Sequence, residues 1–247
     1  MNTTNSAAQK TFVLLHGAWS APYAWQTVKD NLLAAGHEVH LIQLPGHGDD
    51  TTDYKSLRME SYINYVSAAI TAIGSKVILA GHSMAGIIIS GVAEQIPDLI
   101  DKLVYEAAYV PADGQSAYSL SLLDKQSQLG ASLIVSEDQS EFDIVKEDIT
   151  NIFCQDGSDS VKQLILDNYR IEPGAPFGDP VALTEAKFGS VAKYYIETLQ
   201  DHGIGNDLQK QMIAAAGITS VYTLDAGHTP SLSHPKEVSD ILQQIAE

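Results

Sequence analysis

Ser83 lies in a sequence context that could turn its hydroxyl group into a nucleophile. It belongs to the hexapeptide Gly81–Gly86 (GHSMAG), which follows the apolar run Lys76–Ala80 and precedes a stretch that is apolar nearly all round. A serine at a sharp strand-to-helix turn is held clear of the backbone, and free N–H groups at the helix N-terminus can stabilise negative charge beside it. The hexapeptide departs from the pattern G-x-S-x-G, because Ala85 replaces the second glycine. An ordinary turn with a helix-capping serine is the alternative interpretation.

Two other residues could act together with Ser83. A nucleophilic serine needs a general base and an acid that orients the base. Asp201 and His228 each follow a predicted strand, and the chain order Ser83, Asp201, His228 is typical of triads in a parallel α/β sheet. Each residue alone could be a solvated loop residue. Together they predict Ser83 as the nucleophile, His228 as the base and Asp201 as the orienting acid.

The loop after the first predicted strand could supply an oxyanion hole. It reads His16-Gly17-Ala18-Trp19 and lies at the same predicted edge of the sheet as the serine. The backbone N–H groups of Ala18 and Met84 are the predicted donors, and the loss of one such donor typically lowers turnover by about 10²–10³. Trp19 is the candidate substrate-binding residue; in the alternative interpretation it only packs beside a glycine-containing turn.

Strands and helices alternate around these residues. Continuous apolar runs predict buried strands, and apolar residues at helical spacing predict helices between them. This combination is typical of a parallel sheet with helices on both faces. The predicted strands are Thr11–Leu15, His37–Gln43, Lys76–Ala80, Leu103–Ala108, Ala192–Ile196 and Thr219–Leu224. The predicted helices are Pro22–Ala35, Glu60–Ile73, Met84–Ile96, Asn206–Ala216 and Pro235–Ala246.

The alternation breaks between residues 109 and 190. This stretch is polar, acidic and helix-prone, and it is far longer than the few residues that normally connect elements in such a sheet. The sequence therefore predicts one α/β core, formed by residues 1–108 and 191–247, with residues 109–190 as an inserted lid.

Composition and charge exclude several classes of function. Fourteen Lys and Arg residues oppose 31 Asp and Glu residues, a formal net charge of −17 that disfavours nucleic-acid binding. The single cysteine, Cys154, excludes an intrachain disulfide and a zinc site built on cysteines. Residues 1–10 lack the pattern of a signal peptide, and the longest apolar stretch, Ile78–Ala93, is too short and too polar at its centre to span a bilayer. We therefore expect a cytoplasmic protein that binds neither nucleic acid nor membrane.

The sequence resembles the α/β-hydrolases of the branch that holds plant methylesterases, hydroxynitrile lyases and small bacterial esterases. The resemblance implies a six-stranded, mostly parallel sheet with helices on both faces and an inserted helical lid. It also implies the roles already given to Ser83, His228 and Asp201, and to the N–H groups of Ala18 and Met84. The matching stretches are Phe12–Trp19, Leu44–Asp50, Gly81–Gly86, Leu103–Gly114, Lys187–Asp201 and Ala226–His228.

Other titratable residues compete less well for these roles. Asp225 and Glu106 are the alternative acids. His82 is expected to pack, and His202 to be exposed. His16 is expected to form hydrogen bonds within the oxyanion loop. His47 is expected to belong to a surface turn. A run of acidic residues predicts a solvated lid face without a metal site. These residues are Glu137, Asp138, Glu141, Asp143, Glu147 and Asp148.

The leading functional hypothesis is a serine hydrolase that cleaves a small carboxylic ester through an acyl-enzyme and needs no cofactor. A hydroxynitrile lyase with the same triad is the first alternative. Lyases of this branch resemble one another in having Thr or Asn where Gly17 stands, and one group has Lys where Thr229 stands, so both positions favour the esterase. A small-molecule receptor with the hydrolase fold is the second alternative. The acyl and alcohol groups of the substrate and the oligomeric state, a homodimer included, stay open.

Overall fold

The computed structural model of the chain describes residues 9–247. The prediction that residues 1–10 are not a signal peptide falls mainly on residues 1–8, which lie outside the described residues. Between residues 9 and 247, no helix is both long enough and apolar enough to cross a membrane. Cys154 is a buried free thiol.

Strands and α-helices alternate over most of the described chain. The strands are β1 (Thr11–Leu15), β2 (Glu38–Ile42), β3 (Val77–His82), β4 (Ile100–Glu106), β5 (Leu133–Val135), β6 (Glu141–Ile144), β7 (Glu172–Pro173), β8 (Ala192–Thr198) and β9 (Ser220–Leu224). The helices are α1 (Gln26–Ala34), α2 (Met59–Ile73), α3 (Ala85–Gln95), α4 (Ala117–Ser121), α5 (Leu129–Ser132), α6 (Ile149–Cys154), α7 (Asp159–Asn168), α8 (Ala175–Gly178), α9 (Asn206–Ala215), α10 (Pro230–Ser233) and α11 (Pro235–Ala246). Short 3₁₀ turns occur at Pro22–Trp25, Tyr54–Ser56, Pro97–Leu99 and Phe188–Ser190.

The central sheet has six strands in the order β2-β1-β3-β4-β8-β9. Every neighbouring pair is parallel, which confirms the predicted fold class. Because the strands are parallel, their carboxyl ends meet at one edge of the sheet. The loops that follow β1, β3, β8 and β9 at this edge carry Ala18, Ser83, Asp201 and His228.

Helices cover both faces of this sheet. On one face, apolar side chains of β1, β3 and β4 pack against α1 and α11, with Trp25 and Leu242 fully enclosed. On the other face, α2, α3 and α9 pack against the sheet in a larger apolar cluster. Burial on both faces explains why the strands read as continuous apolar runs rather than as alternating ones.

The segment between β4 and β8 contains more than the predicted helices. Strands β5, β6 and β7 form a separate antiparallel sheet of three strands, and α4 to α8 surround it. The connection between β5 and β6 is a tight turn in which Gln139 has a φ of 57° and Asp138 accepts hydrogen bonds from Ser136 and Ser140. The sequence analysis did not predict these short strands, because three or four residues are too few to establish a periodic pattern.

Several strands differ from their predicted bounds at the edge that carries the site; β8, for example, continues to Thr198. Strand β3 continues through Gly81 and His82, because these residues pair with Tyr105 and Glu106 of β4. Strand β4 begins earlier than predicted and ends at Glu106, since Ala107 has a φ of 45° and leaves the extended conformation.

Candidate active site

Ser83 occupies the turn between β3 and α3 in a backbone conformation that few non-glycine residues adopt. Its φ is 56°, and its N–H donates to the carbonyl oxygen of Glu106 at 3.2 Å. A left-handed φ strains a serine, and such strain is concentrated at functional turns. The Ser83 side chain is half-buried, so its hydroxyl group can be reached from outside.

Neighbouring elements approach this turn too closely for larger side chains. A Cβ atom at Gly86 would lie 2.0 Å from the carbonyl oxygen of Tyr109, and one at Gly81 would lie 2.9 Å from Cγ2 of Ile89. Ala85, which replaces the second glycine of the sequence pattern, is completely buried. A methyl group therefore fits at Ala85, whereas none fits at Gly86.

The structure brings the three predicted triad residues into one hydrogen-bonded chain. Nε2 of His228 lies 2.9 Å from Oγ of Ser83, and Nδ1 of His228 lies 3.0 Å from Oδ2 of Asp201. The side chains of His228 and Asp201 are almost completely buried. The backbone of Gly203 packs against the imidazole ring of His228, since a Cβ atom at Gly203 would be 2.7 Å from the ring. This arrangement holds Nε2 of His228 towards the serine.

The carboxylate of Asp201 is surrounded by hydrogen-bond donors. Oδ1 accepts from the backbone N–H groups of Gly203 (2.7 Å) and Ile204 (2.8 Å). Oδ2 accepts from Oγ1 of Thr198 (2.8 Å) and Nε2 of Gln209 (3.0 Å), in addition to His228. A group that meets donors on every side is an acceptor, and this is what an orienting acid requires.

Neither alternative acid contacts His228. Asp225 is exposed, and its Oδ1 accepts from Nε2 of Gln200 at 3.0 Å. Glu106 is completely buried, and within residues 9–247 neither of its carboxyl oxygens has a hydrogen-bond partner, although Ser231 lies beside it. Burial raises the pKa of Glu106 to about 8.

The predicted oxyanion-hole donors both have free N–H groups. Among the described residues, the backbone N–H groups of Ala18 and Met84 donate to no protein acceptor. The loop that carries Ala18 lies directly against the serine, because a Cβ atom at Gly17 would be 2.8 Å from Cβ of Ser83. Trp19 has a φ of 53°, so this loop also contains a strained residue.

Two neutral histidines form hydrogen bonds to backbone groups of the site. His16 donates from Nδ1 to the carbonyl oxygen of Gly17 (2.8 Å) and accepts from the N–H of Leu44 at Nε2 (3.1 Å). His82 donates from Nε2 to the carbonyl oxygen of His228 at 2.8 Å. Burial lowers the pKa of each of these two histidines to about 3. His82 therefore does more than pack, since it holds the backbone of the proposed base.

His47 does not lie in a surface turn as expected. It is buried, and its Nε2 lies 2.9 Å from Oε2 of Glu172 in β7. Although burial by itself lowers the pKa of His47, the carboxylate of Glu172 outweighs that effect and raises it above the ordinary value. The loop turns inward because β7, 125 residues further along the chain, covers it. Because Glu172 is a single glutamate in a loop-like stretch, the local sequence did not indicate its contact with His47.

A cavity of about 230 Å³ lies between the loop that carries Trp19 and the segment between β4 and β8. Trp19 and Tyr109 line it, and the N–H of Tyr109 donates to the carbonyl oxygen of Ser83 at 3.2 Å. None of the triad residues lines this cavity, and the role of Trp19 in substrate binding stays a prediction. Most of the remaining wall is apolar and comes from the segment between β4 and β8: Leu122, Leu129, Leu133, Phe142 and Phe177. A larger cavity, of about 590 Å³, is likewise lined by none of the triad residues.

Helix α6 and the residues after it hold the loop of His228. Oγ1 of Thr229 donates to the carbonyl oxygen of Phe153 at 2.7 Å, and the N–H of Gly227 donates to Oδ2 of Asp156 at 2.8 Å. His202 is half-buried rather than exposed, because its Nδ1 lies 2.9 Å from the carbonyl oxygen of Asn151. These contacts join distant parts of the chain, and no local pattern predicts them.

Apart from Glu172, the acidic residues of the segment between β4 and β8 are exposed or half-buried. Within residues 9–247, no group of three His, Cys, Asp or Glu side chains could hold a metal ion. Several of these carboxylates instead bond to neighbouring side chains, as Asp143 does to the hydroxyl group of Tyr169 (2.8 Å).

Comparisons with known proteins agree with this architecture. The model of a family described as the alpha/beta hydrolase family matches residues 12–241. The chain is 31% identical over 247 residues to putative methylesterase 11, chloroplastic, of Arabidopsis thaliana, which covers 95% of this chain and 63% of that protein. It is 28% identical over 262 residues to methylesterase 7 of the same plant, which covers 97% of each. The crystal structure of polyneuridine aldehyde esterase superposes with a TM-score of 0.87 at 22% identity, covering 97% of this chain and 100% of that one.

Proposed function

Since the chain belongs to the alpha/beta hydrolase family, we propose that it hydrolyses small carboxylic esters with Ser83 as the nucleophile. The observation that carries this proposal is the 2.9 Å contact between Oγ of Ser83 and Nε2 of His228. The similarity to proteins named methylesterases supports ester hydrolysis as the reaction.

The first half of the reaction forms an acyl-enzyme. His228 accepts the Ser83 proton at Nε2 while Oγ attacks the ester carbonyl carbon. Asp201 stabilises the imidazolium through the hydrogen bond at Nδ1. The free N–H groups of Ala18 and Met84 donate to the oxygen that becomes negatively charged. His228 then protonates the leaving alcohol, and the acyl group stays on Ser83.

The second half repeats these steps with water. His228 removes a proton from a water molecule, the hydroxide attacks the acyl carbon, and the same two N–H groups stabilise the second tetrahedral intermediate. Collapse of this intermediate returns the proton to Oγ of Ser83 and releases the carboxylic acid. No step requires a cofactor.

The cavity lined by Trp19 and Tyr109 favours a small and largely apolar ester as substrate. Its volume of about 230 Å³ and its aromatic lining, which includes Trp19 and Phe177, favour a short or aromatic acyl group over a long chain. Activity on p-nitrophenyl esters should therefore be highest with acetate or butyrate and fall sharply by octanoate.

Two side chains argue against cyanohydrin cleavage at the same site. Gly17 has no side-chain donor for a substrate hydroxyl group, and a Cβ atom there would collide with Ser83. Thr229 is uncharged, and its hydroxyl group is already bonded to Phe153. Neither residue can stabilise departing cyanide.

Replacement of the nucleophile tests the proposal directly. The Ser83→Ala variant should fold normally, lose ester hydrolysis and escape covalent labelling by a serine-directed organophosphate, because alanine has no hydroxyl group to acylate. Ser160→Ala, at an exposed position of α7, is the matched control and should behave like the wild type. Full activity of Ser83→Ala would refute the mechanism, and a single turnover by the wild type would indicate a receptor.

A further inference from the structure

Glu172 reaches from β7 to the backbone of the oxyanion loop. Its Oε2 accepts a hydrogen bond from the N–H of Trp19 at 2.7 Å, and the carboxylate is completely inaccessible to solvent. A buried carboxylate is expensive unless it is paired and hydrogen-bonded. The partner that makes this burial possible is His47, whose Nε2 lies 3.0 Å from Oε1 and 2.9 Å from Oε2.

The hydrogen bonds of His47 require both of its ring nitrogens to carry protons. Nδ1 faces the carbonyl oxygen of Pro45 at 3.1 Å, and Nε2 faces Glu172. An ionised Glu172 and the carbonyl oxygen of Pro45 both accept, so beside them His47 donates from both nitrogens. Burial by itself lowers the pKa of His47, but the carboxylate of Glu172 outweighs burial and raises it, which favours a buried ion pair next to the N–H of Trp19.

We propose that Glu172 is a positioning residue for the oxyanion hole, which it holds in place through the N–H of Trp19. This inference rests on the proposed function of Ala18. The peptide unit that contains the N–H of Trp19 directly follows Ala18, so its orientation limits the direction in which the N–H of Ala18 can point. The φ of 53° at Trp19 is strained for this residue, and the hydrogen bond from its N–H to Glu172 opposes relaxation of the loop.

The same tryptophan is held a second time by the small antiparallel sheet. Nε1 of Trp19 donates to the carbonyl oxygen of Phe142 in β6 at 2.9 Å. Strands β6 and β7 pair with each other, so both contacts come from the same small sheet. The N–H groups of the oxyanion loop are placed correctly only when this sheet packs against the loop. Glu172 links the sheet to the backbone of the loop.

Two variants of Glu172 separate the reach of its side chain from its charge. Glu172→Asp keeps the charge that pairs with His47 but is one methylene group too short to reach Trp19. Glu172→Gln keeps the length, can accept from Trp19 through its carbonyl oxygen and can donate to a neutral His47. The proposal predicts that the aspartate variant lowers kcat for p-nitrophenyl acetate by at least about tenfold, towards the 10²-fold typical of a lost oxyanion donor. Its KM should change far less, and the glutamine variant should stay nearer to the wild type.

Asp179, in the connection between β7 and β8, offers a matched control because it forms another contact with the core. Its carboxylate accepts from Nε of Arg58 (2.9 Å) and from the N–H of Met59 (3.1 Å), away from the oxyanion loop. Asp179→Ala should leave kcat near the wild-type value. An equal loss of kcat in Asp179→Ala and Glu172→Asp would overturn the proposal, because it would show general loosening of the segment.

Amide hydrogen exchange supplies a readout that does not depend on activity. The N–H of Trp19 should exchange slowly in the wild type and in Glu172→Gln, and at least about tenfold faster in Glu172→Asp. Unchanged protection in a folded Glu172→Asp variant would refute the role of Glu172. If the wild type cleaved no ester, the proposed function would fail, yet the exchange rates would still decide whether Glu172 holds the loop.

Discussion

Four buried histidines lie around the proposed site, and the partners of each ring assign its protons. His16 and His82 each donate from one nitrogen only and are neutral, whereas His47 donates from both nitrogens to acceptors. His228 donates from Nδ1 to Asp201 and leaves Nε2 free to accept from Ser83. Of the four, His228 alone offers an unprotonated nitrogen to a hydroxyl group.

The acid of the triad can be identified by isosteric substitution. Asp201→Asn should lower kcat by about 10⁴, because it removes the partner that fixes the His228 tautomer. An amide would also place an N–H group against the donors that surround this side chain. Asp225→Asn and Glu106→Gln should change kcat by less than about tenfold, since neither residue contacts His228. Steady-state kinetics on one ester would decide this, and a larger loss in either control would show that the acid is misassigned.

Glu106 should make stability depend on pH. Burial raises its pKa from 4.5 to about 8, so the folded protein retains the carboxyl proton over a range in which the unfolded chain loses it. The stabilisation is complete below about pH 4.5 and is lost as the pH rises to about 8. Glu106→Gln, which is neutral at every pH, should therefore be more stable than the wild type at pH 9 by at least about 1.4 kcal/mol, the equivalent of a tenfold change in proton affinity.

Urea denaturation at pH 5, 7 and 9 would measure this difference. The two proteins should differ least at pH 5 and most at pH 9. Parallel stability curves over this range would mean that Glu106 is not held protonated by burial.

At the scale of elements, the geometry of the turn around Ser83 depends on close approach between α3 and the segment after β4. The carbonyl oxygen of Tyr109 lies where a Cβ atom of residue 86 would be, and backbone atoms cannot move aside as a flexible side chain can. Gly86→Ala should therefore lower the free energy of unfolding by about 1–3 kcal/mol and reduce activity by displacing the turn.

Gly130→Ala is the matched control for this prediction. Gly130 lies in α5, and a Cβ atom there would have no neighbour within 4 Å. This substitution should leave the folding stability unchanged or slightly raised, because alanine favours a helix more than glycine does. Chemical denaturation of both variants would test the comparison, and equal stabilities would contradict it.

At the scale of the whole molecule, the cavity of about 230 Å³ lies where the core and the segment between β4 and β8 meet. Trp19 comes from the oxyanion loop, whereas Phe142 and Phe177 come from the segment. Their rings pack against one another, with centroids of Trp19 and Phe177 at 5.5 Å. The cytoplasmic location expected from the sequence stays a prediction, and the oligomeric state stays open.

The reaction class is also a property of the whole molecule. The net charge of −17 supplies no cationic field for departing cyanide, although salt screens such fields beyond about 10 Å. Gly17 and Thr229 supply no local compensation. We therefore expect hydrolysis of short aryl esters and no release of cyanide from mandelonitrile above the uncatalysed rate, measured with a colorimetric cyanide assay. Cyanide release by the wild type that disappears in Ser83→Ala would instead identify a lyase.

The sequence by itself determined the features that are encoded locally. Continuous apolar runs indicated the six parallel strands, because a strand buried on both faces needs apolar side chains at every position. The small residues around Ser83 indicated the sharp turn, because a strand and a helix pass too close to each other there for larger side chains. Asp201 and His228 were predictable because residues that follow parallel strands must meet at one edge of the sheet.

Only the tertiary structure decided which side chains meet across long stretches of chain. Five donors from different parts of the chain converge on the carboxylate of Asp201, and the inward position of His47 depends on Glu172. A pair of residues 125 positions apart leaves no periodic trace in either local sequence. Water is removed from both side chains only after β7 has packed over the oxyanion loop, and only there does their mutual attraction become strong enough to offset the cost of burial.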